Sequence, residues 1–153
     1  MYEIERKFLV SYIPEEIYNY NHSIIIQSYL SKNPVIRIRK IDDDYFLTYK
    51  SKGLLKRKEL NYPITKEDFY QLLAKRKYIS KKRYFYPYSK YLIELDVFLD
   101  ELDGLIIAEV EFDSEEDAKE FVQPAWFYKE VTNNPSYQNS NLITRRPNEK
   151  KDS

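Results

Sequence analysis

The chain has 153 residues, enough for one domain with a core of its own, and its 25 Lys and Arg balance its 25 Asp and Glu, so no net field selects nucleic acid or a membrane surface. It contains no cysteine, one histidine and two glycines, which excludes disulfides, thiolate chemistry, histidine-rich zinc sites and every glycine-rich phosphate loop. A Ser-His-Asp triad would have to rest on His22 alone, no stretch approaches the ~18 apolar residues of a membrane span, and the expected location is the cytoplasm.

Period-two alternation of apolar and polar residues predicts eight strands, near 2–10, 23–32, 34–41, 45–52, 54–64, 78–88, 91–99 and 104–113. Asp42-Asp43-Asp44 and Asp103-Gly104 carry turn chemistry, so the flanking strands run antiparallel. Thr65 and Ser114 each precede a carboxylate three residues on and an apolar stripe (Phe69, Leu72, Leu73; Ala118, Phe121, Val122), the pattern of a capped amphipathic helix. A short turn of helix is expected over 14–20 and another helix over 135–146. The expected organisation is one domain over 1–146 and a frayed tail over 147–153. Lys75-Arg76-Lys77 reads as the basic close of the helix begun at Thr65, Tyr84 and Trp126 as core rings, and His22 as a loop residue.

Strand parity carries the chemistry. Glu3, Glu5 and Lys7 share one face while Ile4 and Phe8 take the other. Arg37 and Arg39 oppose Ile36 and Ile38, Thr48 and Lys50 oppose Leu47 and Tyr49, and Lys81 and Arg83 oppose Tyr84. Glu94 and Asp96 oppose Ile93, Leu95 and Val97, and Glu109 and Glu111 oppose Ile106, Ala108 and Val110; Arg57 and Glu59 add to the charged set. The helices need the apolar face, so the charged face must turn elsewhere. Eight strands can close into a barrel with that face inside, around water, counter-charges or a ligand. The expected fold is therefore α+β, a closed eight-stranded antiparallel β-barrel with a charged lumen and helices packed outside. The basic half suits a compact polyanion such as a phosphate chain; the acidic half would repel it unless a hard cation, Mg2+ or Mn2+, intervenes.

The same residues resemble the CYTH superfamily, the triphosphate tunnel metalloenzymes. The resemblance runs from about Glu3 to Leu142: Glu3, Glu5 and Lys7 match the Glu-x-Glu-x-Lys signature, and Gln27 to Leu30, Arg37-Ile38-Arg39, Thr48 to Ser51, Lys81 to Tyr84, Glu94-Leu95-Asp96, Ala108 to Phe112, Pro124-Ala125-Trp126 and Glu130-Val131-Thr132 follow in the family's order. Asn61, Asn134 and Ser136 stand where an acidic residue, Asp and Arg are usual. The resemblance implies a tunnel that hydrolyses inorganic triphosphate or a related organic triphosphate with one or two Mg2+ or Mn2+ ions. It implies phosphate-gripping and catalytic roles for Lys7, Arg37, Arg39, Lys50, Lys81 and Arg83, with Arg57 also on the substrate. It implies metal ligation by Glu3, Glu5, Asp96, Glu109 and Glu111, with Glu59 and Glu94 lining the tunnel. The alternatives are an adenylate cyclase of the class IV type and a non-catalytic polyphosphate-binding barrel. A small-molecule triphosphate is the expected partner, with neither nucleic acid nor membrane.

Overall fold

The computed structural model describes residues 2–143. Its strands are β1 (Tyr2–Val10), β2 (His22–Lys32), β3 (Val35–Ile41), β4 (Asp44–Lys50), β5 (Lys56–Pro63), β6 (Ile79–Tyr88), β7 (Tyr91–Phe98), β8 (Ile106–Glu111) and β9 (Phe127–Glu130). Three helices accompany them: α1 (Lys66–Leu73), α2 (Glu115–Glu120) and α3 (Asn139–Leu142). Every strand pairing is antiparallel, in the order β5-β4-β3-β2-β6-β7-β8-β1-β9. A further pairing of β5 with β1 closes the first eight strands into a ring, and no sheet edge inside that ring is left open. The seam is short, consisting of Tyr2↔Lys58, Glu3↔Arg57 and Ile4↔Lys56. Beyond it the free edge of β1 is taken by β9, which pairs with Phe8 to Val10.

Alternation decides what lies on each side of this wall. Phe8, Ile93, Leu95, Ala108 and Val110 turn outward and are fully buried in a cluster with Ala118 of α2, Phe121, Trp126 and Phe127. On the far side α1 lies over β3 and β4, with the Phe69 ring 5.3 Å from that of Tyr45. Both helix starts are capped as expected: Thr65 Oγ1 accepts from Asp68 N at 3.0 Å and Ser114 Oγ from Asp117 N at 3.1 Å. Arg76 donates from Nε to the Leu72 carbonyl at 2.8 Å, so the basic run closes the helix through one of its last free carbonyls.

A second apolar cluster sits within the ring's inward parity. Leu9, Ile79, Phe98 and Ile107 share the inner face with the charged residues, but at the end where β1 finishes they pack with Leu102, Leu105, Val131, Tyr137 and Leu142. The C-terminal segment thus plugs that end with an apolar floor, which alternation alone did not reveal.

The remaining differences from the sequence reading are local. β9 was not anticipated, because four residues are too few for a period to register. β5 starts at Lys56, not 54, since Gly53 (φ 131°) holds a turn in which an added Cβ would fall 2.4 Å from the Lys56 carbonyl oxygen. The turn over 14–20 is a 3-10 helix, Glu15–Asn19, with Ile17 buried. The helix expected over 135–146 resolves into a 3-10 turn, Pro135–Tyr137, and α3, with 144–146 and the expected tail 147–153 outside the described residues. His22 opens β2 instead of lying in a loop, its ring 5.3 Å from Tyr84. Tyr84 and Trp126 are core rings, 6% and 7% exposed. Among the described residues no helix is long and apolar enough to cross a membrane.

Phe8 is central to the outer core, its ring 4.6 Å from Phe127 and 5.9 Å from Phe121. Phe8→Ala is expected to cost about 3–5 kcal/mol, read as a lower urea midpoint at unchanged slope.

Candidate active site

Inside the ring lies a cavity of about 320 Å3 lined by six carboxylates and six cationic side chains. β1 supplies Glu3, Glu5 and Lys7; β3 supplies Arg37 and Arg39; β4 and β5 supply Lys50, Arg57 and Glu59; β6, β7 and β8 supply Arg83, Glu94, Glu109 and Glu111. Two of the expected residues do not line it. Lys81 and Asp96 point inward but are fully buried beside the apolar floor: Lys81 Nζ lies 5.4 Å from the centre of the Phe98 ring and donates to Asp96 Oδ2 at 2.6 Å, while Arg83 clasps the same carboxylate through Nε (2.7 Å) and Nη2 (2.9 Å).

The pairings divide the cavity wall. Lys50 joins Glu3 (2.8 Å) and Glu59 (3.3 Å), and Asn61 donates to Glu59 at 3.0 Å. Burial works against the Glu59 charge, but Lys50 and the Glu3 and Asn61 hydrogen bonds outweigh it and bring the pKa down to about 2. Burial likewise opposes ionisation of Asp96 and Glu109, yet Arg83 and Lys81 hold the first below the usual carboxylate range and Lys7 and Arg83 hold the second well below it. Lys81, so deeply buried, falls to about 8 despite Asp96.

Two sets of charge stay unmatched. Arg37 and Arg39 form no ion pair with any described residue: Arg37 Nε is buried without a hydrogen-bond partner, and Arg39 Nε donates only to Gln27 Oε1, at 3.1 Å. Burial, then the nearby Arg37 and Arg83, draws the Arg39 guanidinium down to about 9, still protonated at neutral pH. On the acidic side Glu5 and Glu111 are direct cross-strand neighbours and neither forms an ion pair with a described residue, whereas the adjacent pair Glu94 and Glu109 is met by Arg83, 3.5 Å from each. Burial and then Glu109 raise the Glu5 pKa; burial and then the neighbouring acids Glu94 and Glu5 raise that of Glu111. Glu94 is raised by burial, with Arg83 pulling the other way.

β1, which carries three of these groups, is held from outside. Arg6, pointing away from the cavity, grips Glu130 of β9 through Nε (2.8 Å) and Nη2 (2.6 Å) and gives Nη1 to the Ala118 carbonyl beneath α2. Thr132 donates to Glu130 at 2.6 Å and accepts from the backbone N–H of Lys7 at 3.0 Å. The lysine beside that N–H reaches the Tyr137 carbonyl at 3.4 Å.

Several lining residues were not singled out from sequence. Tyr29 and Phe46 share the inward parity and were findable by extending the alternation, and Asn61 shares it in the place of the acidic residue usual there, whereas Gln138, Asn139 and Ser140 come from the plug, where no period exists to read.

An antiparallel ring with facing acidic and basic groups around an internal cavity defines a charged-tunnel barrel. Residues 1–145 match the CYTH domain family, and the chain belongs to it. It is 36% identical to the inorganic triphosphatase of Nitrosomonas europaea over 96% of this chain and 100% of that protein, and 34% identical to the inorganic triphosphatase of Acetivibrio thermocellus over 92% of each. The crystal structure of the inorganic triphosphatase NE1496 superposes with a TM-score of 0.72 at 34% identity, covering 95% of this chain and 96% of that one.

The electrostatics predict opposite stabilities for two isosteric changes. A carboxyl whose pKa is raised in the fold stabilises only while protonated, and that contribution is lost as pH rises from the ordinary carboxylate range through the raised value. Glu5→Gln removes the penalty, so the Tm of the ligand-free protein should rise by about 2–4 °C at pH 8, the gain shrinking as pH falls toward 4. Asp96→Asn leaves Lys81 and Arg83 buried without their counter-ion and should cost about 3–5 kcal/mol in denaturant unfolding.

Proposed function

We propose that the chain hydrolyses a triphosphate, inorganic triphosphate first, inside its tunnel with the help of a divalent cation, in the cytoplasm. The observation that carries this reading is the Arg37 and Arg39 pair, two guanidinium groups on one strand that face the cavity and have no carboxylate of their own. Planar forks of this kind match phosphate oxygens, and a bound polyanion would supply the missing counter-charge. The names of the curated relatives point the same way.

The acidic half fits a hard cation, Mg2+ or Mn2+, by donor chemistry. Glu5 and Glu111 form no ion pair among the described residues and have their carboxyl groups pushed up, so they gain from a cation that neutralises them. Among the described residues no three acidic groups stand close enough to chelate an ion on their own. Phosphate oxygens would therefore complete the coordination, and metal and triphosphate would bind together. We assign Glu3, Glu5, Glu109 and Glu111 to hold one or two ions, and Glu59 and Glu94 to the wall. Asp96 is assigned to fixing Arg83 and Lys81 instead of touching metal, since its oxygens are already engaged. When bound, a divalent cation screens the phosphate oxygens and lowers the pKa of the attacking water.

The chain's own part is positioning and charge. Arg37 and Arg39 fasten the phosphate oxygens without reorganising, because the barrel holds them in place before substrate arrives. Lys50, braced by Glu3 and Glu59, and Lys7 and Arg83 face the same space and stabilise charge as the bridging oxygen departs in line with the incoming water.

Phosphate release from tripolyphosphate, ATP and thiamine triphosphate, each with Mg2+ and with Mn2+, tests this. Tripolyphosphate should be cleaved only with metal, and Arg39→Ala should lower kcat/KM by about 100-fold or more with its fold intact by circular dichroism. Metal plus tripolyphosphate at ~100 times its Kd should raise Tm by about 5–10 °C. Metal-independent turnover, or cyclic AMP as the product from ATP, would overturn the reading.

A further inference from the structure

The cations that face the tunnel are held in two ways. Lys50 sits between the carboxylates of Glu3 (2.8 Å) and Glu59 (3.3 Å), and Arg83 is clasped by Asp96 through Nε (2.7 Å) and Nη2 (2.9 Å). A carboxylate fixes its cation but also neutralises it, so less of that charge is left for a ligand. Arg39 is held differently. It forms no ion pair among the described residues, and its Nε donates to the side-chain oxygen of Gln27 at 3.1 Å.

Gln27 is built into the wall. It stands opposite Arg39 in the β2–β3 register and opposite Ile79 of β6, shares the inward face of β2 with Tyr29, and is fully buried. A buried amide is costly unless both its ends are bonded, and here both are. A guanidinium can only donate, so the amide must turn its oxygen to Arg39. Its Nε2 then points the other way and donates to the Tyr29 hydroxyl oxygen at 3.2 Å. With Nε tied back to β2, the two Nη groups of Arg39 are left for the cavity that Arg39 and Tyr29 both line. A carboxylate at position 27 would hold the arginine equally well and cancel its charge. An alkyl side chain would keep the charge and lose the hold.

We propose that Gln27 is a positioning residue of the phosphate site: its neutral amide, anchored on Tyr29, aims the Arg39 guanidinium at the ligand without neutralising it. This rests on the reading that the tunnel takes a triphosphate, and it assigns a role to a side chain that does not itself line the cavity.

Two variants separate the hold from the neutrality. Gln27→Leu removes the hydrogen bond and keeps the Arg39 charge, so tripolyphosphate is still attracted but poorly aligned. With Mg2+ its kcat should fall about tenfold or more while KM stays within about threefold of wild type. Gln27→Glu keeps an acceptor for Arg39 and adds the counter-charge that the arginine lacks. In EDTA, without ligand, its Tm should rise by about 2 °C or more; with Mg2+ its KM for tripolyphosphate should rise about tenfold and the stabilisation by Mg2+ plus tripolyphosphate should shrink. Stability gained together with affinity lost is a pair of changes that a glutamine serving only the fold does not give. If Gln27→Leu does not fold, Gln27→Glu decides alone. An unchanged kcat in folded Gln27→Leu, or a Gln27→Glu protein whose ligand-free Tm does not rise, overturns the assignment. If the wild type neither cleaves tripolyphosphate nor gains Tm from it, the tunnel reading falls. The hold of Gln27 on Arg39 is then judged by a ligand-free double-mutant cycle: it stands if the Tm rise of Gln27→Glu disappears in the Arg39→Ala background, and falls if the rise persists there or never occurs.

Discussion

Removing an ion from water costs several kcal/mol unless an opposite charge takes water's place. This barrel leaves Glu5, Lys7, Arg37, Lys50, Lys81, Arg83, Asp96 and Glu109 at 7% exposure or less. Most of that cost is offset within the wall, where Asp96 serves two cations and Lys50 serves two carboxylates. What is left over is ordered by strand: spare positive charge on β3 and spare negative charge where β1 meets β8. These two surpluses face one cavity without cancelling each other. A protein selected for stability alone would have little reason to keep them, since apolar or matched residues would fold at lower cost.

The outer shell is arranged so that this costly interior is not also loose. Arg6 stands between Glu5 and Lys7 in sequence but on the opposite face, and its three-way grip on Glu130 and the Ala118 carbonyl fixes the strand from behind. Its guanidinium also lies 5.2 Å from the Phe8 ring, so the polar clamp and the apolar core hold the same stretch of chain. Thr132 carries that clamp through to the Lys7 backbone.

Much of this was legible in the residues because a β-strand has only two faces. Arg37 and Arg39 opposite Ile36 and Ile38, or Glu109 and Glu111 opposite Ala108 and Val110, state their side once the strand is recognised, and closure follows when every strand puts charge on the same side. Parity gives the side and not the depth. Lys81 and Asp96 alternate correctly yet are buried beside the apolar floor, and Leu9, Ile79, Phe98 and Ile107 alternate correctly yet form that floor. Depth depends on strand tilt and on what fills the end of the ring, and here the filler is a segment with no periodicity, ending in a four-residue helix. β9 escaped for the same reason, since a strand of four residues leaves almost no pattern.

The narrow join between β1 and β5 gives ring integrity a chemical dependence. Of its three residue pairs, the middle one is Glu3 opposite Arg57, and both side chains look into the cavity. Anything that engages the two together acts as a rivet across the least redundant part of the wall, so that occupancy of the interior and mechanical closure of the cylinder become one equilibrium.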